Sequence, residues 1–326
     1  MAGKLRNDLR MLRKKTPVVT GPYGTDLKEY YILFRSEFKS LNRLLHSFDD
    51  RGIPLNTTYI DVENASLHYY PISIGQYALA RWHDYIRGEA EAGEHFMRIA
   101  DWFVDNANYS VELGAYWLTD VPKPEYQVSK PWKSAFSQSR AISVLLRAWQ
   151  KSGDEKYFSL ASNALIPFSK DIKDGGVSVD REMGTVFYEE YVAQWPTRVL
   201  DGHIFSLFGL FDYIRAVPPA YDKDNNALAL ELFEEGISGL LKTIHWYDTG
   251  KWLRFNRCDM PGYPNEDPCT IGYMNLVIGQ MEILYHMTGK TDFKAFAQRW
   301  RAYLNPIGII NMYRLKMKTL QKLNRL

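Results

Sequence analysis

The sequence predicts a mainly α protein whose helices form an α/α toroid, an incomplete α/α barrel, with short β-hairpins at the rim of a cleft. Three observations lead to this fold class. Apolar residues recur at three- and four-residue steps through most of the chain, which is the period of an amphipathic helix. Two junctions between such stretches share one pattern. Strand-like alternation is confined to short segments.

The helical period is clearest between residues 155 and 168, where five apolar side chains form one stripe. They are Tyr157, Ala161, Ala164, Leu165 and Phe168. The stretches predicted to be helical are residues 27–48, 74–86, 94–107, 134–149, 155–168, 200–214, 227–244, 272–287 and 293–304.

The two similar junctions are KSGDEKYFSLASNAL, from Lys151, and MTGKTDFKAFAQRW, from Met287. Each combines a helix end, a glycine C-cap, a polar N-cap and a new helix with an aromatic residue in its first turn. Recurring helix hairpins with small-residue turns are typical of α/α toroids, in which inner helices surround a cavity. The spacing is too irregular for a regular solenoid.

Strand-like alternation occurs in GGVSVD (residues 175–180) and GTVFYEE (residues 184–190), which we expect to pair as a hairpin. A further segment, TGKWLRFNR (residues 249–257), is predicted to be extended. Both regions precede a predicted helix, and such segments lie at the rim of a toroid. The stretch VFYEEYVAQWPTRVLDG (residues 186–202) is therefore expected at the mouth of the cleft.

The composition is that of an ordinary globular protein, with 46% hydrophobic and 24% charged residues. The 22 tyrosines and 9 tryptophans would suit either a core or the lining of a sugar-binding cleft. A net charge of +2 gives no indication of nucleic-acid binding. We find no signal-peptide pattern and no apolar run of ~20 residues, and so predict a cytoplasmic protein without a transmembrane segment.

Both ends of the chain are basic, as MAGKLRNDLRMLRKK and YRLKMKTLQKLNRL show. Solvated tails would explain this, and so would contact with an anionic polymer or a membrane surface. The only cysteines, Cys258 and Cys269, enclose a turn-rich loop. Without a secretion signal, free thiols are favoured over a local disulfide. No Cys or His cluster has the spacing of a metal site.

Glu189 and Glu190 are adjacent in a stretch that also holds four aromatic residues. In an extended strand their side chains would point to opposite faces, because successive residues alternate. One carboxylate could then enter the cleft while the other faces solvent or a helix end. If the chain bends there, Glu190 and Tyr191 could both reach the cavity. A solvated pair of acids is the alternative.

Arg254 and Arg257 follow the predicted extended segment, and Tyr273 lies one turn into a predicted helix. Arginines near tyrosines and a carboxylate favour an anionic ligand, because guanidinium groups pair bidentately with carboxylate or sulfate. Each arginine could also be an ordinary surface residue. Since the chain lacks a Ser-His-Asp spacing, a phosphate-binding glycine loop and a zinc motif, acid/base chemistry by carboxyl and phenol groups is what remains.

Several blocks of the sequence resemble the D-glucuronyl C5-epimerase family. They occur in the family's order and cover about residues 58–304. The blocks are YYPISIGQYAL, PWKSAFSQSRAISVLLRAW, YEEY followed by PTRVLDGHIFSLFGLFD, YDTG, GYMNLVIGQMEILY and FKAFAQRWRAYL. The match is to the family's helical catalytic domain. The β-rich N-terminal region of the animal enzymes looks absent, or reduced to the first ~55 residues.

The family converts D-glucuronate to L-iduronate within heparan-type polymers, by removing and returning the proton on C5 without a redox cofactor. The resemblance therefore implies an epimerase that acts on a heparosan-like, anionic glycosaminoglycan and needs no cofactor or metal. It implies no nucleic-acid partner, and a homodimer is typical of the family.

The resemblance also assigns site residues. Glu190 and Tyr191 match the family's EEY pair, and Tyr273 matches a tyrosine at the start of a late helix. We expect Glu190 to serve one face of the sugar ring and Tyr273 the other, while Tyr191 holds the carboxylate or polarises the pair. The family's arginine falls on Arg257 only with a one-residue shift, and Arg254 is its rival. The residues expected to contact the polymer are Tyr70, Lys133, Gln138, Arg140, Arg198, Arg254 and Phe255.

One position departs from the family, because Phe255 stands where members have a tyrosine. Phenylalanine cannot donate or accept a proton, so either Glu190 and Tyr273 suffice or activity is altered or lost. A polysaccharide lyase and a catalytically impaired uronate-polymer-binding protein are the alternatives to an epimerase. The predicted organisation is a basic segment with a first helix (1–55), the catalytic toroid (56–305) and a basic tail (306–326).

Overall fold

Amphipathic helices make up most of the described chain, in agreement with the predicted mainly α class. The computed structural model describes residues 9, 11–12, 14–36, 45–57, 67–129 and 131–322. Its helices are α1 (Pro71–Ile86), α2 (Ala90–Asp105), α3 (Ala135–Ser152), α4 (Glu155–Asn163), α5 (Leu200–Ala216), α6 (Lys223–Thr243), α7 (Ile271–Thr288), α8 (Thr291–Tyr303) and α9 (Pro306–Lys322). Its strands are β1 (Leu45–Phe48), β2 (Pro54–Thr57), β3 (Leu67–His68), β4 (Asn108–Ser110), β5 (Gly114–Tyr116), β6 (Ser178–Val179) and β7 (Phe187–Tyr188).

The first eight of these helices pack as consecutive pairs, α1 with α2, α3 with α4, α5 with α6 and α7 with α8. The first member of each pair also packs against the first member of the next, so that α1, α3, α5 and α7 form one row. Helices α3 and α5 are buried on nearly all sides, whereas α4, α6 and α8 bury one stripe each. A helix that is buried all round belongs to the inside of a fold. The arrangement of these helices as an α/α toroid, an incomplete α/α barrel, stays a prediction.

The described strands form three small antiparallel sheets, ordered β1-β2-β3, β4-β5 and β6-β7. The predicted hairpin is present, with Ser178 opposite Tyr188 and Val179 opposite Phe187. Residues 249–257 contribute only isolated bridges, such as the one between Arg254 and Pro268. The sheets are too small to form a layer of their own, and the helices carry the fold.

The helix predicted over residues 27–48 is wrong in its described part, which is extended or bent and ends in β1; residues 37–44 lie outside the described residues. Polar groups of the backbone here bond to α1 in place of the hydrogen bonds of a helix. The Trp82 indole donates to the Lys28 carbonyl (2.8 Å), and the Tyr30 backbone N–H donates to His83 Nε2 (3.0 Å). Tertiary contacts with α1 therefore override the helical period of the sequence.

The basic C-terminal segment forms α9 up to Lys322, with Ile309 and Met312 buried. Lys316 pairs with Asp267 (2.6 Å), which fastens this helix to the turn-rich loop. That loop carries both cysteines as free thiols, as predicted. Among the described residues, no helix combines the length and the apolar character required to cross a membrane.

An ion cluster centred on the fully buried Asp212 joins α3, α5 and the N-terminal region. The Asp212 carboxylate lies 2.7 Å from Arg147 and accepts a hydrogen bond from Tyr31 (2.6 Å) and another from Arg215 (2.9 Å). Burial raises the pKa of Asp212, but the two arginines outweigh burial and hold it below its usual value. The carboxylate is thus ionised and holds three elements together.

We expect Asp212→Asn to lower the free energy of unfolding by about 3–5 kcal/mol, because it leaves the buried Arg147 guanidinium without its counter-charge. Urea unfolding at neutral pH measures the loss. The matched control is Asp105→Asn, which breaks an exposed pair with Arg51 and should cost less than about 1 kcal/mol. Equal losses in the two variants would contradict a structural role for the cluster.

Candidate active site

The chain bends immediately after β7, at Glu190 and Tyr191. Hydrogen bonds fix the preceding residue on both sides, since Glu189 N–H donates to the Val177 carbonyl (2.8 Å) and Ala135 N–H donates to the Glu189 carbonyl (2.8 Å). The bend turns Glu190 and Tyr191 toward a cavity of about 590 Å³. The alternative of a solvated pair of acids is wrong, because both glutamates are buried.

Glu189 faces away from the cavity and binds the turn that precedes α5. Its carboxylate accepts hydrogen bonds from the hydroxyl of Thr197, from the backbone N–H of Thr197 (3.1 Å) and from that of Arg198 (3.0 Å). Burial raises its pKa to about 7, and these bonds oppose the rise. Glu189 thereby joins the hairpin to the start of α5, and it was assigned no such role from the sequence.

Glu190 lies on the cavity wall with only 8% of its surface exposed. It packs directly against the backbone of Gly202, where a Cβ atom would lie 2.6 Å from the Glu190 Cβ. Only a glycine leaves room for this contact. Burial raises the pKa of Glu190, the neighbouring charge of Asp201 raises it further, and a hydrogen bond with Tyr191 opposes the rise.

Asp201 lines the same cavity from the first turn of α5. Its Oδ1 is buried and has no hydrogen-bond partner among the described residues. Burial raises the pKa of Asp201, while the Tyr273 phenol and the charge of Arg140 oppose the rise. Sequence reasoning missed this residue, although its place in VLDGH, at the start of a helix beside the EEY bend, could have indicated it.

Tyr273 lies in the first turn of α7 and reaches Asp201 from the side away from Glu190's cavity. The Asp201 backbone N–H donates to Tyr273 Oη (3.0 Å), and Oη donates to the Phe255 carbonyl (3.2 Å). Tyr273 lines a second cavity of about 370 Å³ together with Phe255, whose ring lies 4.8 Å away. Burial raises the pKa of Tyr273 well above its usual value. Glu190 and Tyr273 therefore line different cavities, and Asp201 lines the cavity of Glu190 while its backbone bonds Tyr273.

Tyr191 forms part of the wall between the two cavities. It lines the larger one, and its ring packs against Tyr126 (5.2 Å) and under the Lys123 ammonium group (5.0 Å). Tyr126 and Lys123 both line the smaller cavity. Tyr191 therefore contacts residues of the smaller cavity while it lines the larger one.

Two of the predicted substrate-binding arginines are engaged by protein carboxylates. Arg198 pairs with Asp180 (2.6 Å) and Asp259 (2.7 Å), and Arg254 bonds the Trp246 carbonyl and lies 3.6 Å from Glu266. Arg257 is half-buried, lines neither cavity, and has a buried Nε without a partner among the described residues.

The remaining predicted contact residues divide in the same way. Tyr70 lines the larger cavity, whereas Gln138 is buried and bonds the Trp117 backbone N–H (3.2 Å). Lys133 lies over the Tyr116 ring (4.7 Å), outside the larger cavity. Arg140 is fully buried, and none of its guanidinium nitrogens has a hydrogen-bond partner among the described residues.

Arg140 is enclosed by aromatic rings at 4.3 to 5.1 Å. The rings belong to Tyr30, Phe34, Phe136 and Phe205. The three phenylalanines also form part of the cavity wall. Arg140 therefore lies behind that wall. From there its charge opposes the rise in the pKa of Asp201.

Residues 114–302, more than half of the chain, match the family model described as D-glucuronyl C5-epimerase C-terminus. The chain belongs to the D-glucuronyl C5-epimerase family. The matched region of the family includes Glu190, Asp201 and Tyr273, and it excludes every cavity residue before position 114.

Two curated relatives match parts of the chain. An uncharacterized protein of Methanocaldococcus jannaschii is 28% identical over 188 residues, which cover 57% of this chain and 56% of the relative. A D-glucuronyl C5-epimerase of Caenorhabditis elegans is 32% identical over 161 residues, which cover 48% of this chain and 26% of the relative. The chain thus spans about half of the first relative's length and about a quarter of the second's.

The raised pKa of Glu190 predicts how stability depends on pH. The folded protein binds this proton more tightly than the unfolded chain, whose glutamates titrate near about 4.3. The free energy of unfolding should therefore fall as pH rises from that value through the folded-state pKa. Glu190→Gln cannot ionise, so we expect it to gain at least about 1.4 kcal/mol relative to wild type between about pH 5 and pH 9, the equivalent of one pKa unit.

Urea unfolding across this pH range measures the difference. Glu94→Gln, at an exposed position of α2, is the control and should run parallel to wild type. A Glu190→Gln curve that is also parallel to wild type would show that the carboxyl of Glu190 titrates normally.

Proposed function

We propose that the protein inverts C5 of D-glucuronate residues in a heparosan-like, anionic polysaccharide and so produces L-iduronate, by proton abstraction and reprotonation. Membership of the epimerase family supports the reaction class. The observation that carries the proposal is the buried carboxyl of Glu190, which faces the larger cavity beside Asp201. A buried carboxyl with a raised pKa is a stronger base than an ordinary glutamate once it is ionised.

The chemistry requires such a group because the C5 proton lies α to a carboxylate and is only feebly acidic. Its removal breaks the C5–H bond and leaves an enolate-like intermediate with a second negative charge, which the site must stabilise. Inversion then requires a proton from the opposite face of the ring. Two acid/base groups are therefore needed, each contributing about 10²–10⁴-fold.

In our proposal Glu190 serves one face of the ring and Asp201, which lines the same cavity, serves the other. Tyr273 supports Asp201 from the neighbouring cavity through the hydrogen bond to its backbone. The carboxyls of Glu190 and Asp201 interact, so that one can hold a proton while the other is ionised. Burial keeps the Tyr273 phenol protonated, and its Oη accepts a hydrogen bond from the Asp201 backbone N–H (3.0 Å). These residues supply two groups although Phe255 replaces the family's tyrosine. Tyr191 is proposed to position the substrate carboxylate.

Incubation with unsulfated glucuronate polymer in D₂O tests the reaction. We expect deuterium at C5 with unchanged chain length, as NMR and size analysis would show. Phe255 favours a second candidate, a uronate-polymer-binding protein without activity, which would bind the polymer and leave it unlabelled. A polysaccharide lyase would shorten the chains and give the absorbance of an unsaturated uronate.

Glu190→Gln should reduce the rate of deuterium incorporation by about 10²–10⁴-fold, since the amide cannot accept the C5 proton. Glu94→Gln is the matched control and should retain the wild-type rate. Full activity of Glu190→Gln would exclude Glu190 as an acid/base group.

Tyr273→Phe should lower kcat by about 10²–10⁴-fold with a smaller change in KM. It removes the phenol that accepts a hydrogen bond from Asp201 N–H. Tyr285→Phe, on the same helix and half-buried, provides the control. Near-wild-type turnover of Tyr273→Phe would remove this residue from the proposed mechanism.

A further inference from the structure

An N-terminal strap, defined here as residues 14–19, runs beside residues 31–33 and forms part of the larger cavity. Two backbone hydrogen bonds hold the segments together, from Val19 N–H to the Tyr31 carbonyl (2.8 Å) and from Leu33 N–H to the Pro17 carbonyl (3.0 Å). Both segments lie outside the region matched by the family model. The larger cavity is therefore lined partly by the matched region and partly by segments that precede it.

The strap lies on α7 at a position adapted to receive it. A Cβ atom at Gly279 would lie 3.0 Å from Val18 Cγ1 and 3.3 Å from the Thr16 Cβ, so that a larger residue would displace the strap. Just before the strap, the Met11 carbonyl accepts a hydrogen bond from Asn275 Nδ2 (3.0 Å). A glycine inside a helix costs up to about 1 kcal/mol relative to alanine, and the seated strap is a physical reason for this one.

The strap and its neighbour place three cations at the cavity. Lys14, Lys15 and Arg35 line it and are exposed. Within the described part of the chain, none of them forms an ion pair with a carboxylate. In this they differ from Arg198 and Arg254, whose charges are met by protein carboxylates.

The carboxyl groups and the cations of the cavity come from different parts of its lining. Glu190 and Asp201 lie in its wall, and the three cations lie on the N-terminal side. An anionic ligand that approaches two carboxyl groups needs compensating positive charge. Cations that form no ion pair with the described carboxylates provide it without the loss of such a pair. Because the cations belong to two adjacent segments, one extended acidic chain could contact all three.

We propose that Lys14, Lys15 and Arg35 form an anion-binding rim, which holds a carboxylate or sulfate group of an acidic polysaccharide next to the sugar unit that enters the cavity. The inference rests on the proposed function for the class of polymer. It goes beyond it by assigning polymer recognition to residues outside the family region.

Equilibrium binding to the full-length protein tests the rim, with unsulfated heparosan and N-sulfated heparosan as the two probes. Exposed ion pairs contribute up to about 1 kcal/mol, or about fivefold, each. We expect the triple variant Lys14→Ala/Lys15→Ala/Arg35→Ala to bind about tenfold or more weakly at low salt, and to show a shallower salt dependence. The control triple Lys223→Ala/Lys290→Ala/Lys294→Ala removes the same charge at exposed positions that line no part of this cavity and should bind as wild type.

Two further variants separate charge from folding. Lys14→Arg/Lys15→Arg/Arg35→Lys keeps the charges and should retain at least half of the affinity. Gly279→Leu displaces the strap without removing a cation, and should weaken binding as the triple alanine variant does. Weakening with both probes identifies carboxylates as the bound groups, and weakening with the N-sulfated probe alone identifies sulfates.

Wild-type affinity of the triple alanine variant for both probes would overturn the proposal, and so would failure of the wild-type protein to bind either probe. The outcome does not depend on turnover, because inversion at C5 changes neither the charge nor the length of the polymer that the rim would bind. A wild-type protein that binds through the rim but places no deuterium at C5 would contradict the proposed function and leave the rim intact.

Discussion

The carboxylate of Glu189 is the constraint on which the candidate site depends. It is fully buried, and it accepts hydrogen bonds from the backbone of Thr197 and Arg198, at the turn that leads into α5. One residue later the chain bends and sends Glu190 into the cavity, and α5 begins with Asp201 beside it. A buried carboxylate that lost these donors would be left with the full cost of desolvation. The two neighbouring glutamates therefore have different roles. Glu189 fixes the backbone, and that backbone places Glu190 in the cavity wall.

The distribution of charge around the cavity follows from burial. Burial raises the pKa values of both Glu190 and Asp201 and so shifts each toward its protonated form. Arg140 lies behind the aromatic wall and acts on Asp201 through its field alone. It is too deeply buried to bind a ligand, yet it limits how far the Asp201 pKa rises. The site thus contains two carboxyls with raised pKa values, and the Arg140 cation that lies outside the cavity.

The sequence predicted the helices well from α1 to α8, because apolar residues recur there at helical spacing. The hairpin that carries Phe187 was also predicted correctly, since its alternation and turn residues are local signals. Residues 27–36 were mispredicted. Tyr30 and Tyr31 are buried although their segment is extended, because its backbone bonds to α1 and the Tyr31 side chain bonds to α5. Apolar spacing alone does not distinguish that arrangement from a helix. The partners of Arg198 and the burial of Arg140 depend on residues distant in sequence, which is why both were expected to contact substrate.

The proposed acid/base residues and the proposed anion-binding rim come from different parts of the chain. The acid/base candidates Glu190, Asp201 and Tyr273 all lie in the region shared with the epimerase family, where Gly202 makes room for Glu190. The three cations of the rim come from segments outside that region, and Gly279 of α7 makes room for the strap that carries Lys14 and Lys15. Helix α7 is thus the element that both parts use, because its first turn presents Tyr273 to Asp201 and its middle receives the strap. A displacement of α7 would therefore move Tyr273 and the strap together.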